Sequence, residues 1–328
     1  TLSAAAGTVT INGALTGPTV ALTSGAGGIS QSAAGVITAS TGLTVNLASG
    51  GVAALTTANN NVAQLTGTGS GTINLNNNTN NLALGTFGAT QAINVTAADA
   101  ITTTAAASFA SLDATGSSFT QSATHNYTLT GASVVNTTGA VSLGATYTGG
   151  AASSFTSSAG NVSIIAGGSL LGAGTKTLSA TAGTVTVNGA LTGPTVVLTS
   201  GAGGISQSAA GVITASGGLV VNLAGGGTAA LTTANNNVAQ LTGTGAGTID
   251  LNNNTNNLAL GTFGATQAIN VTAAGAITTT AAASFASLAA TGTSFTQSAT
   301  HNYIISGATT INTTGAVSLG ATYTGGAA

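Results

Sequence analysis

The sequence contains no cysteine and no methionine, and it is almost without charge. Among its 328 residues there are one Lys or Arg, three Asp or Glu and two His. Without cysteine, the chain has no disulfide, no zinc–thiolate site and no thiol nucleophile. The absence of cysteine is also compatible with an exported protein that avoids disulfide errors.

The scarcity of charge argues against two classes of partner. Charged side chains make up 1% of the sequence, whereas an ordinary domain has about 25%. A nucleic-acid-binding protein needs clustered Lys and Arg to displace counterions from phosphates, and docking onto anionic lipid needs a polybasic patch. Lys176 is the one Lys or Arg of the chain. We therefore expect neither nucleic acid nor an anionic membrane surface as a partner.

The acidic residues are too few for the usual carbohydrate-cleaving chemistry. Glycosidases use paired carboxylates, and pectate-type lyases use carboxylate-bound calcium with a basic residue. This sequence has no Glu, and its three Asp residues are Asp99, Asp113 and Asp250. We expect a protein that is not an enzyme, with no catalytic residue, no cofactor and no metal site.

Long apolar segments are missing as well. Gly, Thr or Asn interrupts every apolar stretch before 18 residues, so the sequence predicts no transmembrane helix. A charged segment followed by an apolar one, as in a signal peptide, does not open the chain. The chain instead begins inside a repeat, at Thr1–Ala4. We expect it to be an excerpt from a longer polypeptide whose export signal lies elsewhere.

What the sequence does contain is repetition. Residues 1–152 recur as residues 177–328 and differ at 18 of the 152 aligned positions. The domain organisation predicted from this is a first long repeat unit, 1–176, and a second, incomplete unit, 177–328, in one continuous solenoid. Internal repetition of this kind is typical of solenoid architectures.

A shorter period lies inside the long one. Residues 56–75 align with residues 76–95 at an offset of 20, so that Ile73-Asn74-Leu75 falls on Ile93-Asn94-Val95. Apolar and polar residues alternate in short runs such as Leu43–Leu47, and these runs end at Gly, Asn or Ser clusters, which favour turns. The sequence therefore predicts an all-β parallel β-helix with about 20–22 residues per coil and roughly 15 coils.

Runs of asparagine are the most distinctive local feature. Asparagine amides that stack from coil to coil can bond to each other and to the turn backbone, which predicts a structural ladder. A sugar-binding role is the alternative, because amides also suit hydroxyl groups. The predicted ladder residues are Asn60, Asn61, Asn80, Asn81, Asn236, Asn237, Asn256 and Asn257.

Histidine and tyrosine recur together in the motif Ser-Ala-Thr-His-Asn-Tyr. A catalytic or metal-binding histidine would need a carboxylate partner, yet the copies of the three Asp positions are Gly275, Ala289 and Asn74. We therefore expect these histidines to be loop or surface residues. A weak aromatic contact to a glycan is the remaining functional option, at His125, Tyr127, His301 and Tyr303.

Two segments carry a family resemblance. Leu22–Gln31 (LTSGAGGISQ) with Gly35–Ala39 (GVITA), and Asn59–Leu65 (NNNVAQL), resemble the repeats of large filamentous haemagglutinin-like bacterial exoproteins. The resemblance recurs in the second repeat unit, at Leu198–Ala215 and Asn235–Leu241. It implies a right-handed parallel β-helix, secretion by Gram-negative bacteria through an outer-membrane partner or a fused translocator, and attachment to hosts, surfaces or sibling cells.

These observations converge on a structural role. We expect a non-enzymatic segment of an extracellular bacterial adhesin or surface filament, acting at the cell surface as a stiff rod for adhesion or self-assembly. The expected partners are copies of the chain itself, glycans and abiotic surfaces. The alternatives are a carbohydrate- or ice-binding β-solenoid module and a segment of a phage tail fibre.

Overall fold

The computed structural model describes residues 1–78, 80–254 and 256–326. Within these ranges the chain forms strands and turns and no α-helix, so no helix there could cross a membrane. The strands pair in parallel, each with the strand about one coil later in the chain. The predicted all-β parallel β-helix is confirmed, and the described coils number about 16.

The described residues form two compact units, Thr1–Phe155 and Thr156–Ala328. This boundary lies inside the first sequence repeat, 1–176. Compact units need not coincide with sequence repeats in a solenoid, because each coil contacts only its neighbours and stability is a sum of local terms. The single continuous solenoid expected from the sequence stays a prediction.

Each unit is built from strands of 2 to 14 residues, numbered in chain order. The first unit contains β1 Leu2–Ala4, β2 Val9–Ile11, β3 Leu15–Ser24, β4 Ile29–Gln31, β5 Ile37–Leu47, β6 Val52–Leu55, β7 Asn61–Val62, β8 Gln64–Asn77, β9 Leu82–Leu84, β10 Thr90–Ala97, β11 Ala100–Thr103, β12 Ala107–Phe109, β13 Ser111–Gly116, β14 Ser118–Gln121, β15 Tyr127–Leu129, β16 Ser133–Thr137, β17 Val141–Leu143 and β18 Thr146–Gly149. Strand β19, Ser153–Ser157, contains the unit boundary.

From Lys176 onward, the second unit repeats this order. It contains β20 Val162–Ile164, β21 Ser169–Leu171, β22 Lys176–Ala180, β23 Val185–Val187, β24 Ala190–Ser200, β25 Ile205–Gln207, β26 Ile213–Leu223, β27 Thr228–Leu231, β28 Asn237–Val238, β29 Gln240–Asn253, β30 Leu258–Leu260, β31 Thr266–Ala273, β32 Ile277–Thr279, β33 Ala283–Phe285, β34 Ser287–Gly292, β35 Phe295–Gln297, β36 Tyr303–Ile305, β37 Thr309–Thr313, β38 Val317–Leu319 and β39 Tyr323–Thr324.

The length of a coil varies along the chain. Ile73 pairs with Ile93, 20 residues later, as the sequence alignment predicts. Elsewhere the offset between paired residues falls to 18, for Ile101 with Phe119, and rises to 24, for Ile29 with Ala53. Strands keep a constant rise per residue, so the corners absorb these differences. The register at any point therefore depends on the length of each corner before it.

The core follows the alternation read from the sequence. In β5, Leu43, Val45 and Leu47 are fully buried, while Thr44 and Asn46 between them are half-exposed. Successive side chains of a strand point to opposite faces, so each strand delivers every second residue to the interior. Each buried aliphatic side chain stabilises the fold by about 1.5–3 kcal/mol.

Aromatic rings form a column in the core of the first unit. Phe87, Phe109 and Tyr127 meet edge to face, with ring centroids 5.4 and 5.1 Å apart. Tyr127 is 6.0 Å from Tyr147, which is 5.0 Å from Phe155. Edge-to-face pairs add about 0.5–1.5 kcal/mol beyond the area they bury. Tyr127 is therefore a core residue.

Candidate functional site

The asparagine runs place one amide inside the first unit. Asn60 is fully buried at the corner that follows β6. Its Oδ1 accepts hydrogen bonds from Gln31 Nε2 at 2.6 Å and from the Ile37 amide at 2.9 Å. Its Nδ2 donates to the carbonyl oxygens of Leu55 and Asn76, both at 3.0 Å. One side chain thus ties together the backbone of three coil segments.

The second unit repeats this buried corner with Asn236. Its Oδ1 accepts from Gln207 Nε2 at 2.6 Å and from the Ile213 amide at 3.0 Å. Its Nδ2 donates to Leu231 O and to Asn252 O, again at 3.0 Å. A corner leaves backbone groups without strand partners, and buried backbone groups need hydrogen bonds. The buried amide supplies them.

Other asparagines form exposed rungs between coils. Asn80 Nδ2 donates to Asn61 Oδ1 at 2.6 Å, and Asn256 Nδ2 donates to Asn237 Oδ1 at 2.5 Å. The structure therefore brings Asn61 together with Asn80, at an offset of 19 residues, and not with Asn81 at the offset of 20 used in the sequence alignment.

The last two predicted ladder residues bond to the backbone. Asn81 Oδ1 accepts from the Ala100 amide at 3.0 Å, and Asn257 Oδ1 accepts from the Ala276 amide at 2.8 Å. The eight residues thus divide into buried corner amides, exposed rungs and backbone acceptors. All three kinds join coils through side chains, and the third also extends the hydrogen bonding of a strand pair by one residue at its start.

The eight predicted ladder residues do not include Asn77, a buried asparagine of the run Asn76–Asn78 that acts like Asn60. Its Oδ1 accepts from the Val62 amide at 2.7 Å and its Nδ2 donates to Val62 O at 3.0 Å. Asn253 makes the same contacts with Val238. The signal was present, because Ile73, Leu75 and Asn77 occupy alternate positions of one strand and so face the same side.

The two histidines tie a corner to the preceding coil. His125 Nδ1 lies 3.0 Å from both the Oγ1 and the carbonyl oxygen of Thr103, and His301 lies against Thr279 in the same way. Both histidines are half-buried, whereas Tyr127 and Tyr303 are fully buried. A glycan could reach an edge of either imidazole, but it could contact the tyrosine rings only if the coil opened.

A shallow groove lies on the outer face of the first unit. It has a volume of about 290 Å³ and runs across the outward side chains of β8, β10 and β13. Asn94 lies at its centre and donates from Nδ2 to Asn74 Oδ1 at 2.7 Å. On the other side, Asn94 is paired in register with Asp113. Thr96 and Thr115 also contribute to the polar lining.

The second unit carries a matching groove of about 210 Å³. Asn270 occupies the central position and donates to Asp250 Oδ1 at 2.7 Å, while its other neighbour in register is Ala289. The carboxylate thus lies on opposite sides of the central asparagine in the two grooves. Two of the three Asp residues of the sequence line these grooves, and each lies beside an equivalent asparagine.

The grooves offer hydrogen bonding and little other chemistry. A carboxylate, an amide and threonine hydroxyls suit a ligand rich in hydroxyl groups. Among the residues that the structure describes, no three His, Cys, Asp or Glu side chains come together as metal ligands would.

Comparison with protein-family models, with curated proteins and with solved structures gave no match. The resemblance to filamentous haemagglutinin-like exoproteins therefore stays a prediction from the sequence motifs.

Proposed function

We propose that this chain is a structural, non-enzymatic segment of an extracellular bacterial adhesin or surface filament. The observation that carries the proposal is the use of buried amides to join successive coils, at Asn60 and Asn77 and again at Asn236 and Asn253. These side chains are committed to the backbone of neighbouring coils. They stiffen a stack of coils and leave no reactive group at the corner.

The outer surface supports a role in association. It presents Thr, Asn, Ser and Ala, and 1% of the sequence is charged. Like-charge repulsion keeps most proteins apart in solution, and here it is nearly absent. Stacks of this kind can pack against one another or adhere to glycans and abiotic surfaces through many weak contacts whose avidity adds.

Microscopy and diffraction of the purified chain test the structural role. We expect elongated assemblies and an axial reflection near about 4.8 Å, the spacing of hydrogen-bonded strands. Assembly should persist when salt is raised to about 1 M, where the Debye length falls to about 3 Å. Monodisperse particles at all concentrations, or turnover of any polysaccharide, would overturn the proposal.

A pair of surface variants tests whether low charge permits assembly. Thr120 and Thr128 are exposed in the first unit. The double variant Thr120→Lys/Thr128→Lys should assemble less at low salt and recover at high salt, because the added charges repel and salt screens them. The matched variant Thr120→Ser/Thr128→Ser should assemble like the parent chain. Equal assembly of both variants at low salt would contradict the charge argument.

Carbohydrate binding is the second candidate function, and the two outer grooves favour it. Asp113 and Asp250 each lie beside a central asparagine at a polar concavity, an arrangement suited to neighbouring hydroxyl groups of a sugar. On a glycan array, the variant Asp113→Ala/Asp250→Ala should lose binding. Asp99→Ala, which removes the third and exposed carboxylate away from the grooves, is the control. Equal binding by both variants would reject the grooves as the site.

A further inference from the structure

Three hydroxyl groups lie in the core of the first unit without a protein partner. The side chains of Tyr127 and Tyr147 are fully buried, and Ser133 is 1% exposed. The phenol oxygens of the two tyrosines and Ser133 Oγ have no solvent contact and no hydrogen bond to any group of the chain. Buried hydroxyls nearly always have a hydrogen-bond partner, so this cluster requires an explanation.

The three hydroxyls belong to one place in the core. Tyr127 and Tyr147 are register partners in successive coils, with ring centroids 6.0 Å apart. Ser133 follows Tyr127 in the same coil. Its hydroxyl interacts with the Tyr147 phenol and offsets part of the rise in pKa that burial causes there, but the two oxygens do not meet hydrogen-bond geometry. Phe109 and Phe155 pack edge to face against the two tyrosine rings. The surroundings are therefore apolar.

The second unit keeps the same three hydroxyls. Its cluster consists of Tyr303, Thr309 and Tyr323, and their oxygens are likewise buried without a partner in the chain. Ser133 is replaced by Thr309, which retains the hydroxyl although Val134 beside it becomes Thr310 and Val135 becomes Ile311. The hydroxyl thus persists where the residues around it change.

We propose that each cluster is an internal binding site for one water molecule. A buried water makes about three hydrogen bonds to polar groups that otherwise lack partners, and each cluster supplies three. A neutral ligand fits better than an ion, because the burial that raises the pKa of Tyr127 and Tyr147 disfavours any charge at this place in the core. The bound water joins successive coils in the core, as the buried amides do at the corners.

Removing one hydroxyl at a time tests the site, and Tyr127→Phe is the decisive variant. If a water bridges all three groups, then Tyr127→Phe, Ser133→Ala and Tyr147→Phe should each speed amide hydrogen exchange in residues 127–147, by roughly 5- to 30-fold. If Ser133 and Tyr147 bond only to each other, Tyr127→Phe should slow exchange or leave it unchanged. If all three hydroxyls lack partners, both Phe variants should slow exchange. Either of the last two results overturns the proposal.

A crystal structure of the whole chain provides the second measurement. We expect density for one water within about 2.5–3.2 Å of the three oxygens, and its loss or displacement in Tyr127→Phe. Phenylalanine keeps the ring and its packing, so the variant should fold. Three hydroxyls bonded directly to one another, with no water between them, would overturn the proposal. Because this test does not involve adhesion or assembly, it is independent of the function proposed above.

Discussion

Replacement of the buried corner amide is the sharpest test of how the coils are held together. Asn60→Ala removes the acceptor of the Ile37 amide and the donor to Leu55 O and Asn76 O. The buried Ile37 backbone N–H, left without an acceptor, costs about 1–3 kcal/mol, and each of the two bonds lost from Asn60 Nδ2 costs about 0.5–1.5 kcal/mol. The expected loss of stability is about 2–6 kcal/mol, which is large beside a typical net stability of about 5–15 kcal/mol.

Amide hydrogen exchange reports this loss where it occurs. The Ile37 amide loses its partner, so its exchange should speed up by a factor of at least about 30, which corresponds to about 2 kcal/mol. Peptides from coils distant from the corner should exchange as in the parent chain, since a solenoid is stabilised by neighbouring coils. Asn236→Ala should produce the same result at Ile213 in the second unit.

The matched control makes the same chemical change on the surface. Asn80→Ala breaks the rung from Asn80 Nδ2 to Asn61 Oδ1, but both groups can bond to water instead. We expect a change of no more than about 0.5 kcal/mol. If the two variants lose equal stability, or if exchange at Ile37 does not respond to Asn60→Ala, the buried amide does not hold the corner and the reasoning fails.

Two further predictions concern pH and the glycine corners. Burial raises the pKa of all four tyrosines, Tyr127, Tyr147, Tyr303 and Tyr323. Above about pH 10 the unfolded chain therefore releases protons that the folded chain keeps, and the free energy of unfolding should fall by at most about 1.4 kcal/mol per pH unit for each tyrosine. Denaturant titrations that monitor the tyrosines measure this fall. Burial lowers the pKa of Lys176, so this residue makes the free energy of unfolding rise with pH between its lowered pKa and about 10. It contributes one proton, whereas the tyrosines contribute four. A free energy of unfolding that rises between about pH 10 and 12 would contradict the predicted sign. A Cβ on Gly35 would overlap the carbonyl oxygen of Ile11, so Gly35→Ala should lower the stability measured by thermal unfolding by about 1–3 kcal/mol. A Cβ on Gly13 meets nothing within 4 Å, so the control Gly13→Ala should not destabilise the chain. Equal effects of the two variants would show that the corner tolerates a wider turn.

The interior of the candidate site was only partly accessible from the sequence. Asn60 and Asn61 are adjacent and chemically identical, yet the first is buried and the second forms an exposed rung. Period-two alternation is clear within a strand, but it loses its phase at a corner, where the backbone turns. Asn77, which continues the alternation of β8, could have been placed inside, whereas Asn60 follows a corner and could not.

Local patterns in the sequence determined the fold class. Alternation over three to five residues, turn residues between the runs and a period near 20 all act over short distances, so they specify strands, corners and stacking without knowledge of the rest of the chain. The scarcity of charge and the lack of cysteine likewise set the chemistry of the surface. Tertiary structure alone decided which residues meet across coils: the rung between Asn61 and Asn80, the carboxylates beside Asn94 and Asn270, and the hydroxyls around Tyr127. Each of these contacts depends on the summed length of the corners between its members, which varies from coil to coil and is encoded in no single segment.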